Sequence, residues 1–217
     1  MSSAMIDLIL KATLDTLYMV AASGVISALV GIPLGVLLYV TRPRQILAEP
    51  TLNRVLGAIT NIGRSIPFII LMVAIIPFTR MLVGSSIGTN AAVVPLTIAA
   101  IPFVARLVEG ALNEIPPGLV EAAQSMGATP WQIITKVLVP EARGGIFTAL
   151  TVTVVTLVSY SAMAGAVGGG GLGDLGIRYG YNRFNPTIML ITVVILVVMV
   201  QGFQSLGDYL VRKSDHK

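Results

Sequence analysis

The sequence predicts an all-α fold, a bundle of membrane-spanning helices, and two observations carry this prediction. Hydrophobic residues make up 55% of the 217 residues and charged residues only 11%, with a mean hydropathy of +0.88. A soluble domain of this size could not solvate so much apolar surface. Several apolar runs also reach the roughly 20 residues that a helix needs to cross a bilayer, and they are too continuous for a β-barrel. We therefore expect one transmembrane domain over residues 1–217.

Five apolar runs are the predicted membrane spans of this polytopic bundle. They cover about residues 14–40, 59–83, 91–108, 146–167 and 187–206. The second run is the least regular, because Arg64 and Arg80 bracket its most apolar part and one of them is expected to reach back to the interface. Pro67, Pro77, Pro95 and Pro102 can kink the second and third spans, although kinks are common in membrane helices that have no special role.

The lysines and arginines are distributed unequally between the two sides of these spans. One side collects Arg42, Arg44, Arg54, Arg64, Arg106, Lys136, Arg143, Arg212, Lys213 and Lys217. The other side holds only Lys11, Arg80, Arg178 and Arg183. The positive-inside rule then places the N-terminus outside and the C-terminus in the cytoplasm, together with the polar segment at about residues 115–140. The net charge of +4 follows from this topology, so we expect the lipid bilayer and no nucleic acid as partner.

Several function classes are disfavoured by what the sequence lacks. The chain has no cysteine, and its one histidine is His216 near the C-terminus, which argues against a thiolate site, a histidine-ligated metal or a His-based catalytic triad. It also has no G-x(4)-G-K-[ST] phosphate-binding loop and no convergent carboxylates within the spans. The first seven residues lack the features of a cleaved signal peptide, and the first span is expected to serve as the insertion signal. We expect no enzyme activity and no cofactor or metal in this chain.

The polar segment 115–140 carries its own helix start and stop signals. Pro116 and Pro117 favour the beginning of a helix, and Gly127 can take the left-handed conformation that ends one near Met126. Thr129, followed three residues later by Gln132, has the spacing of a capping box for a second helix, which Pro140 is expected to end. This pattern predicts a helical hairpin between two spans. The local physics is equally compatible with an ordinary amphipathic helix lying on the membrane surface.

The fourth span carries a polar face. Thr153, Thr156, Tyr160 and Met163 follow spacings of three, four and three, which places them on one side of a helix. Hydroxyl groups in a membrane favour the bundle interior or an aqueous cavity, so this face is a candidate translocation path. The alternative is that these hydroxyls bond to their own backbone or join neighbouring helices. Three residues at the head of the second span have the same two interpretations: Ser65, Pro67 and Phe68.

Two glycine patterns have structural interpretations. Gly31 and Gly35 form a GxxxG in the first span, which favours close helix packing within the subunit or, less directly, against a second copy. The run from Gly168 to Gly173 formally matches the dinucleotide-binding fingerprint GxGxxG. It follows a membrane helix on the outer side and lacks the preceding strand and the later acidic residue, so we interpret it as a mobile or tightly turning external loop.

The hairpin resembles a motif of ABC importer permeases. Glu121-Ala122-Ala123, Gly127 and Val137-Leu138-Val139-Pro140 are similar to the E-A-A-x-x-x-G-x(9)-I-x-L-P loop of that family, with valines in place of the usual Ile and Leu. The resemblance implies that a coupling helix in the hairpin docks into a cleft of a cytoplasmic ATPase subunit. The residues it assigns to docking are Glu121, Ala122, Ala123, Met126 and Gly127.

Further strings resemble the methionine importer permeases within this family. They are Arg64 to Leu71, Ile76 to Arg80, Tyr160-Ser161-Ala162-Met163, Gly165 to Gly168, Gly170 to Gly173 and Tyr179-Gly180-Tyr181. This resemblance implies a non-catalytic subunit in a bacterial inner membrane that passes L- and D-methionine by alternating access. It adds Ser161 to the candidate path. It also implies a second copy of the chain, two ATPase subunits that bind ATP and Mg, and an extracytoplasmic methionine-binding lipoprotein.

Other functions remain as alternatives to this interpretation. A permease for another amino acid or small nutrient would share the same helices and hairpin. A passive pore or an assembly scaffold would need no ATPase-docking loop. A membrane enzyme would need a catalytic dyad, triad or metal cluster within the spans, and the sequence contains none that we can identify.

Overall fold

The computed structural model describes residues 3–214, and every regular element among them is helical, which confirms the all-α prediction. His216 and Lys217 lie outside the described residues. The helices are α1 (Ser3–Val40), α2 (Pro50–Ser65), α3 (Phe68–Ala74), α4 (Ile76–Val83), α5 (Thr89–Asn113), α6 (Pro117–Ser125), α7 (Pro130–Ile133), α8 (Val139–Glu141), α9 (Arg143–Gly165), α10 (Gly171–Leu175) and α11 (Pro186–Ser214). Two π-helical segments, Ile134–Leu138 and Gly176–Tyr181, follow α7 and α10.

Four of the described helices are long and apolar enough to cross a membrane, namely α1, α5, α9 and α11. A fifth span is obtained only if the bent pair α2 and α3 is counted as one. Helix α1 begins at Ser3, eleven residues before the span predicted from residue 14, and α11 continues to Ser214, beyond the predicted end at 206. Hydropathy locates the part of a helix that lies in lipid, whereas the helices themselves extend past it.

The second span, predicted over about residues 59–83 with prolines that can kink it, is divided into separate helices. Helix α2 starts at Pro50 and ends at Ser65, and α3 leaves it at a bend of 100°. Pro67 has no N–H to continue the helix, and it restricts the residue before it to extended conformations. Ile66 accordingly has φ −83° and ψ 122°. A second break at Ile75 separates α3 from α4.

Helices α1 and α5 pack closely along their length, and the two glycines of the GxxxG pattern lie in this contact. A Cβ atom added at Gly31 would lie 2.7 Å from the Cβ of Val104, and one added at Gly35 would lie 2.6 Å from the carbonyl oxygen of Ala105. Only a residue without a side chain allows such an approach. The expected close packing is therefore present, and its partner is a helix of the same chain.

The glycine-rich segment after α9 turns tightly and packs back onto the bundle. Gly171 has φ 73°, and the neighbouring Leu172 N–H donates a 2.8 Å hydrogen bond to Thr16 Oγ1 of α1. A Cβ at Gly165 would meet the backbone of Gly173, so α9 and α10 lie in backbone contact. This arrangement fixes the end of the bundle opposite the hairpin and gives the run 168–173 a structural role.

Candidate functional site

The hairpin predicted between the third and fourth spans is formed by α6, α7 and the π-helical segment after them. Within α6, Val120 and Ala123 point into a cluster that includes Ile133 and Leu138, and all four side chains are buried. The opposite face carries exposed Glu121 and Ala122, and Met126 follows it with 82% of its surface exposed. Of the five residues assigned to docking, Ala123 therefore supports the hairpin from inside, and the other four are accessible to a partner.

A Schellman turn joins the two short helices, with Gly127 in the left-handed conformation expected for it. Gly127 has φ 78°, and its N–H donates to the carbonyl of Gln124 at 2.9 Å. The N–H of Ala128 donates to the carbonyl of Ala123 at 3.1 Å. These two bonds satisfy carbonyls that the end of α6 would otherwise leave unpaired. The turn therefore depends on a residue that tolerates positive φ.

The predicted capping box at the start of α7 is also present. Gln132 N–H donates to Thr129 Oγ1, and the Thr129 N–H donates to Gln132 Oε1 at 2.9 Å. Trp131, the only tryptophan of the chain, was not among the predicted docking residues; it lies beside this cap with 72% of its surface exposed. The sequence does contain a signal for this residue, since it is an aromatic side chain in a polar segment outside the predicted spans. Aromatic residues are enriched at protein interfaces.

Pro140 does not end the second helix of the hairpin, contrary to the prediction. The chain passes from α7 through the π-helical segment Ile134–Leu138 into the short helix α8, which contains Pro140, and a turn at Ala142 leads to α9. The wider π turn relieves the clash between a proline ring and the preceding turn of an α-helix. The hairpin is therefore continuous with α9 on this side.

The base of the hairpin is embedded in the ends of the long helices. Ile115 and Val120 pack in one apolar cluster with Tyr39 and Val40 from the end of α1, while Leu112 contributes the end of α5. Leu138, Ala142 and Ile146 connect the same cluster to the start of α9. Because packed interiors transmit displacement, a force applied to the exposed face of the hairpin would move α1, α5 and α9 together.

A buried carboxylate with two arginines lies next to this cluster and was not predicted. Glu109 of α5 is only 3% exposed. Its Oε1 accepts from Arg42 Nε at 2.9 Å and from Arg42 Nη2 at 2.5 Å, and its Oε2 accepts from Arg106 Nη1 at 2.6 Å. Arg106 Nη2 also donates to Asn61 Oδ1 of α2 at 2.8 Å. The network ties α2 and the chain after α1 to the hairpin end of α5.

The hydroxyl groups assigned to the translocation path bond mainly to their own helices. Thr153 and Thr156 donate to the carbonyls of Ala149 and Val152 at 2.7 and 2.8 Å, and Ser161 donates to Val158 at 2.7 Å. Thr153 and Ser161 are buried within the chain. Ser65 donates to Asn61 at 2.8 Å. Self-bonding of this kind is the alternative that the sequence analysis left open.

Two of the remaining path candidates, Phe68 and Tyr160, meet beside the bend between α2 and α3. Phe68 and Tyr160 stack with ring centroids 4.6 Å apart and planes 5° from parallel. Pro67 is exposed at the bend itself, and Met163 lies one turn further along α9 with 39% of its surface exposed. The structure thus brings Tyr160 and Phe68 into direct contact, whereas Thr153 and Ser161 face the interior of the chain. Among residues 3–214 no three His, Cys, Asp or Glu side chains form a group that could hold a metal ion.

Comparisons with known proteins agree over nearly the whole chain. The family model described as binding-protein-dependent transport system inner membrane component matches residues 31–216. A probable D-methionine transport system permease protein MetI from Vibrio cholerae is 64% identical over 97% of this chain and 94% of its own length. The D-methionine transport system permease protein MetI from Escherichia coli K12 is 56% identical over 76% of each chain.

Solved structures give the same result for the fold. A structure of the MetNI methionine ABC transporter in an inward-facing conformation has a chain that is 55% identical to this one, with a TM-score of 0.98 and complete coverage of both chains. A chain from an amino acid ABC transporter crystallised with histidines shares the fold at a TM-score of 0.78 and 22% identity.

Proposed function

We propose that this chain, which belongs to the family of binding-protein-dependent transport system inner membrane components, is the membrane-spanning subunit of an ATP-driven methionine importer. One observation carries this proposal. The chain superposes along its full length on a chain of a methionine ABC transporter at a TM-score of 0.98 and 55% identity. Agreement of this extent covers the hairpin, the broken second span and the glycine-rich loop, and not only the helix bundle.

In this proposal the N-terminus lies outside, the hairpin lies in the cytoplasm, and its exposed face binds an ATPase subunit. Glu121, Ala122 and Met126 form this face, and Trp131 extends it beyond the Schellman turn. Small and flexible apolar side chains flanked by a carboxylate suit insertion into a cleft on another protein. The ATPase subunit binds ATP and Mg, since this chain carries no phosphate-binding loop, and an extracytoplasmic binding protein delivers the substrate.

Two copies of the chain are proposed to line the pathway around a two-fold axis, each holding one ATPase subunit. The chain superposes on one from a structure of its relative in an inward-facing conformation. When the two ATPase subunits close on ATP, each would displace its hairpin. The apolar cluster at the base of the hairpin would carry this displacement into α1, α5 and α9, opening the pathway outward. The free energy that drives this change is the difference between the interaction free energies of hairpin and ATPase in the two states.

The left-handed turn at Gly127 gives a direct test of this coupling role. Replacement by leucine forces a side chain into positive φ, which costs about 1–2 kcal/mol. No atom lies within 4 Å of the added Cβ, so the effect would come from the turn and not from a clash. We expect Gly127→Leu to insert normally but to transport about 5- to 30-fold less methionine per ATP hydrolysed, the ratio that this free energy represents. Parallel assays of uptake and phosphate release measure it.

Two control variants separate the turn from the side chain. Gly127→Asn should retain coupling, because asparagine tolerates the left-handed conformation. Gly202→Leu places the same side chain on α11, away from the hairpin, where the backbone has ordinary φ and no atom lies within 4 Å of the added Cβ. It should also remain coupled. Normal coupling in Gly127→Leu would contradict the docking role of the turn.

The substrate assignment is tested by competition in proteoliposomes that contain the chain, its ATPase subunit and the matching binding protein. Uptake of labelled methionine should be blocked by excess unlabelled L- or D-methionine and unaffected by equal amounts of histidine, leucine or glutamine. If another amino acid competed equally or was itself the better substrate, the importer function would stand and the methionine assignment would be wrong.

A further inference from the structure

Residues 41–49 link α1 to α2 at the hairpin end of the bundle. They follow Val40, which packs in the apolar cluster at the base of the hairpin, and Ile46 packs against the same cluster. Val120 and Ala123 of the hairpin belong to that cluster as well. The segment 41–49 and the hairpin are therefore supported by one apolar core at one end of the molecule.

Hydrogen bonds within the segment give it a defined shape. The N–H of Leu47 donates to the carbonyl of Val40 at 3.1 Å, and the N–H of Glu49 donates to the carbonyl of Thr41 at 3.0 Å. The side-chain amide of Asn53, in α2, donates to Thr41 Oγ1 at 3.0 Å. A segment that is already ordered loses little conformational entropy when a partner binds it.

Arg42 joins this segment to the part of α5 that leads into the hairpin. Its Nε donates to Glu109 Oε1 at 2.9 Å, and its Nη1 donates to Asn113 Oδ1 at 2.8 Å. Asn113 is the last residue of α5, and the first helix of the hairpin begins at Pro117. Because these contacts are tight, a displacement of the hairpin would carry the segment with it.

Arg44 is held in an unfavourable backbone conformation on the surface of this segment. It is one of two non-glycine residues with positive φ among residues 3–214, at 70°. Its side chain is exposed, and none of the ion pairs between residues of the described range includes it. Leu47, three residues later, has 44% of its surface exposed. Strain of this kind is concentrated at functional sites, and an arginine beside an apolar side chain is typical of protein interfaces.

The exposed face of the hairpin alone is small for a stable protein interface. Helices α6 and α7 hold nine and four residues, and part of them is buried against the bundle. Interfaces of standard size involve roughly 20–30 residues on each side. An ATPase subunit bound to the hairpin is therefore expected to contact neighbouring surface, and the segment 41–49 rests on the same apolar cluster.

We propose that residues 43–48 form a second docking surface for the ATPase subunit that binds the hairpin, in which the Arg44 guanidinium binds a carboxylate of the ATPase and Leu47 packs beside it. This inference rests on the proposed importer function and names a further contact with the same partner. The planar guanidinium matches a carboxylate in a bidentate arrangement. With two points of attachment, movement of the ATPase would act on the end of α1 directly and not only through the hairpin.

Photo-crosslinking in the intact complex of this chain and its ATPase tests the contact. The photoreactive residue p-benzoylphenylalanine would replace Leu47, Met126 on the hairpin, or Tyr209 near the end of α11, all of them exposed and with ordinary φ. We expect crosslinks to the ATPase from positions 47 and 126 and none from 209. Crosslinks from 126 but not from 47, or from 47 only to lipid or to a second copy, would overturn this inference. Absence of ATPase crosslinks from 126 would contradict the docking role of the hairpin in the proposed function.

Variants of Arg44 test the side chain itself, by titration of the ATPase subunit onto the chain in nanodiscs of phosphatidylcholine. Arg44→Glu should weaken binding about fivefold or more, since a charged hydrogen bond is lost and a repulsion added. Arg44→Lys should give an intermediate value because the charge stays and the fork is lost. Arg212→Glu makes the same change of charge at the exposed end of α11 and should weaken binding less than about twofold.

Arg44→Gly separates binding by the side chain from a purely structural role. Glycine relieves the strain of positive φ but removes the guanidinium, so binding of the ATPase should still weaken. Unchanged or tighter binding in Arg44→Gly would refute the contact. So would a loss in Arg44→Glu that appears only when anionic phosphatidylglycerol is added to the nanodiscs, because the arginine would then bind lipid headgroups. If Arg44→Glu failed to fold, Arg44→Gly and the crosslink from position 47 would still decide.

Discussion

Replacing Gly35 with leucine is expected to prevent this chain from accumulating as a folded membrane protein. Even a single added Cβ would lie 2.6 Å from the backbone oxygen of Ala105 and 2.8 Å from the Cβ of Val108. Neither atom belongs to the flexible end of a side chain, so α1 and α5 would have to separate along their shared contact. Overpacking of this kind costs about 1–3 kcal/mol for modest additions, and a whole leucine side chain exceeds that range. Yield of monodisperse protein in detergent measures the loss.

A milder series on the same helix controls this prediction. Gly35→Ala should lower the melting temperature clearly, while Gly24→Ala should be neutral or stabilising. A Cβ at Gly24 would meet its nearest atoms at 3.7 Å and 3.8 Å, which is ordinary contact, and alanine is favoured over glycine in a helix by about 1 kcal/mol. Equal melting temperatures for Gly35→Ala and the unaltered protein would contradict the close α1–α5 packing described above.

Removing the carboxylate of Glu109 is expected to produce the second largest effect. Glu109→Ala would leave Arg42 and Arg106 facing each other, with 34% and 25% of their side-chain surface exposed. Breaking a buried ion pair costs roughly 3–5 kcal/mol, and we expect the lower end because both arginines keep contact with solvent. The hairpin end of α5 should loosen, so both the melting temperature of the complex and methionine uptake should fall.

Matched variants distinguish the ion pair from the general loss of a charge. Glu114→Ala removes an exposed carboxylate just beyond the end of α5, and it should change stability by less than about 0.5 kcal/mol. In the double variant Glu109→Ala with Arg106→Ala, one of the two unpaired arginines is removed as well, so the total loss should be smaller than the sum of the two single losses. Additive losses would show that the two residues do not interact as described.

The hairpin was predictable in detail because its signals are local. Pro117, Gly127 and the pair Thr129 and Gln132 each act on backbone groups within four residues, and all of them take the predicted roles. Pro140 was misjudged because its effect depends on the width of the preceding turn. An α-helix would have ended there, whereas the π-helical segment before it accommodates the proline.

The bend in the second span could not be predicted from hydropathy. Pro33, Pro95 and Pro102 lie inside continuous helices, and Pro67 breaks one, although all four occur in apolar runs. The difference lies in which neighbouring elements pack around each proline, and a window average of hydrophobicity does not contain that information.

Glu109 was missed for a related reason. The predicted third span ended at residue 108, which placed Glu109 in a connecting segment, but α5 continues to Asn113 and buries it. Its main partner, Arg42, lies 67 residues earlier in the chain. Long-range pairs of this kind depend on which helices pack together. The residues assigned to the translocation path and to ATPase docking stay predictions, and the experiments above address the docking residues.

The claim that this chain is driven by a partner ATPase is tested most directly by the concentration of methionine that it can build up. Proteoliposomes with the chain and its ATPase would receive labelled methionine and binding protein outside and ATP inside. The account predicts accumulation well above the external concentration, and no accumulation when a non-hydrolysable ATP analogue replaces ATP. Equilibration to the external concentration at the same rate with either nucleotide would contradict it and identify a passive pore.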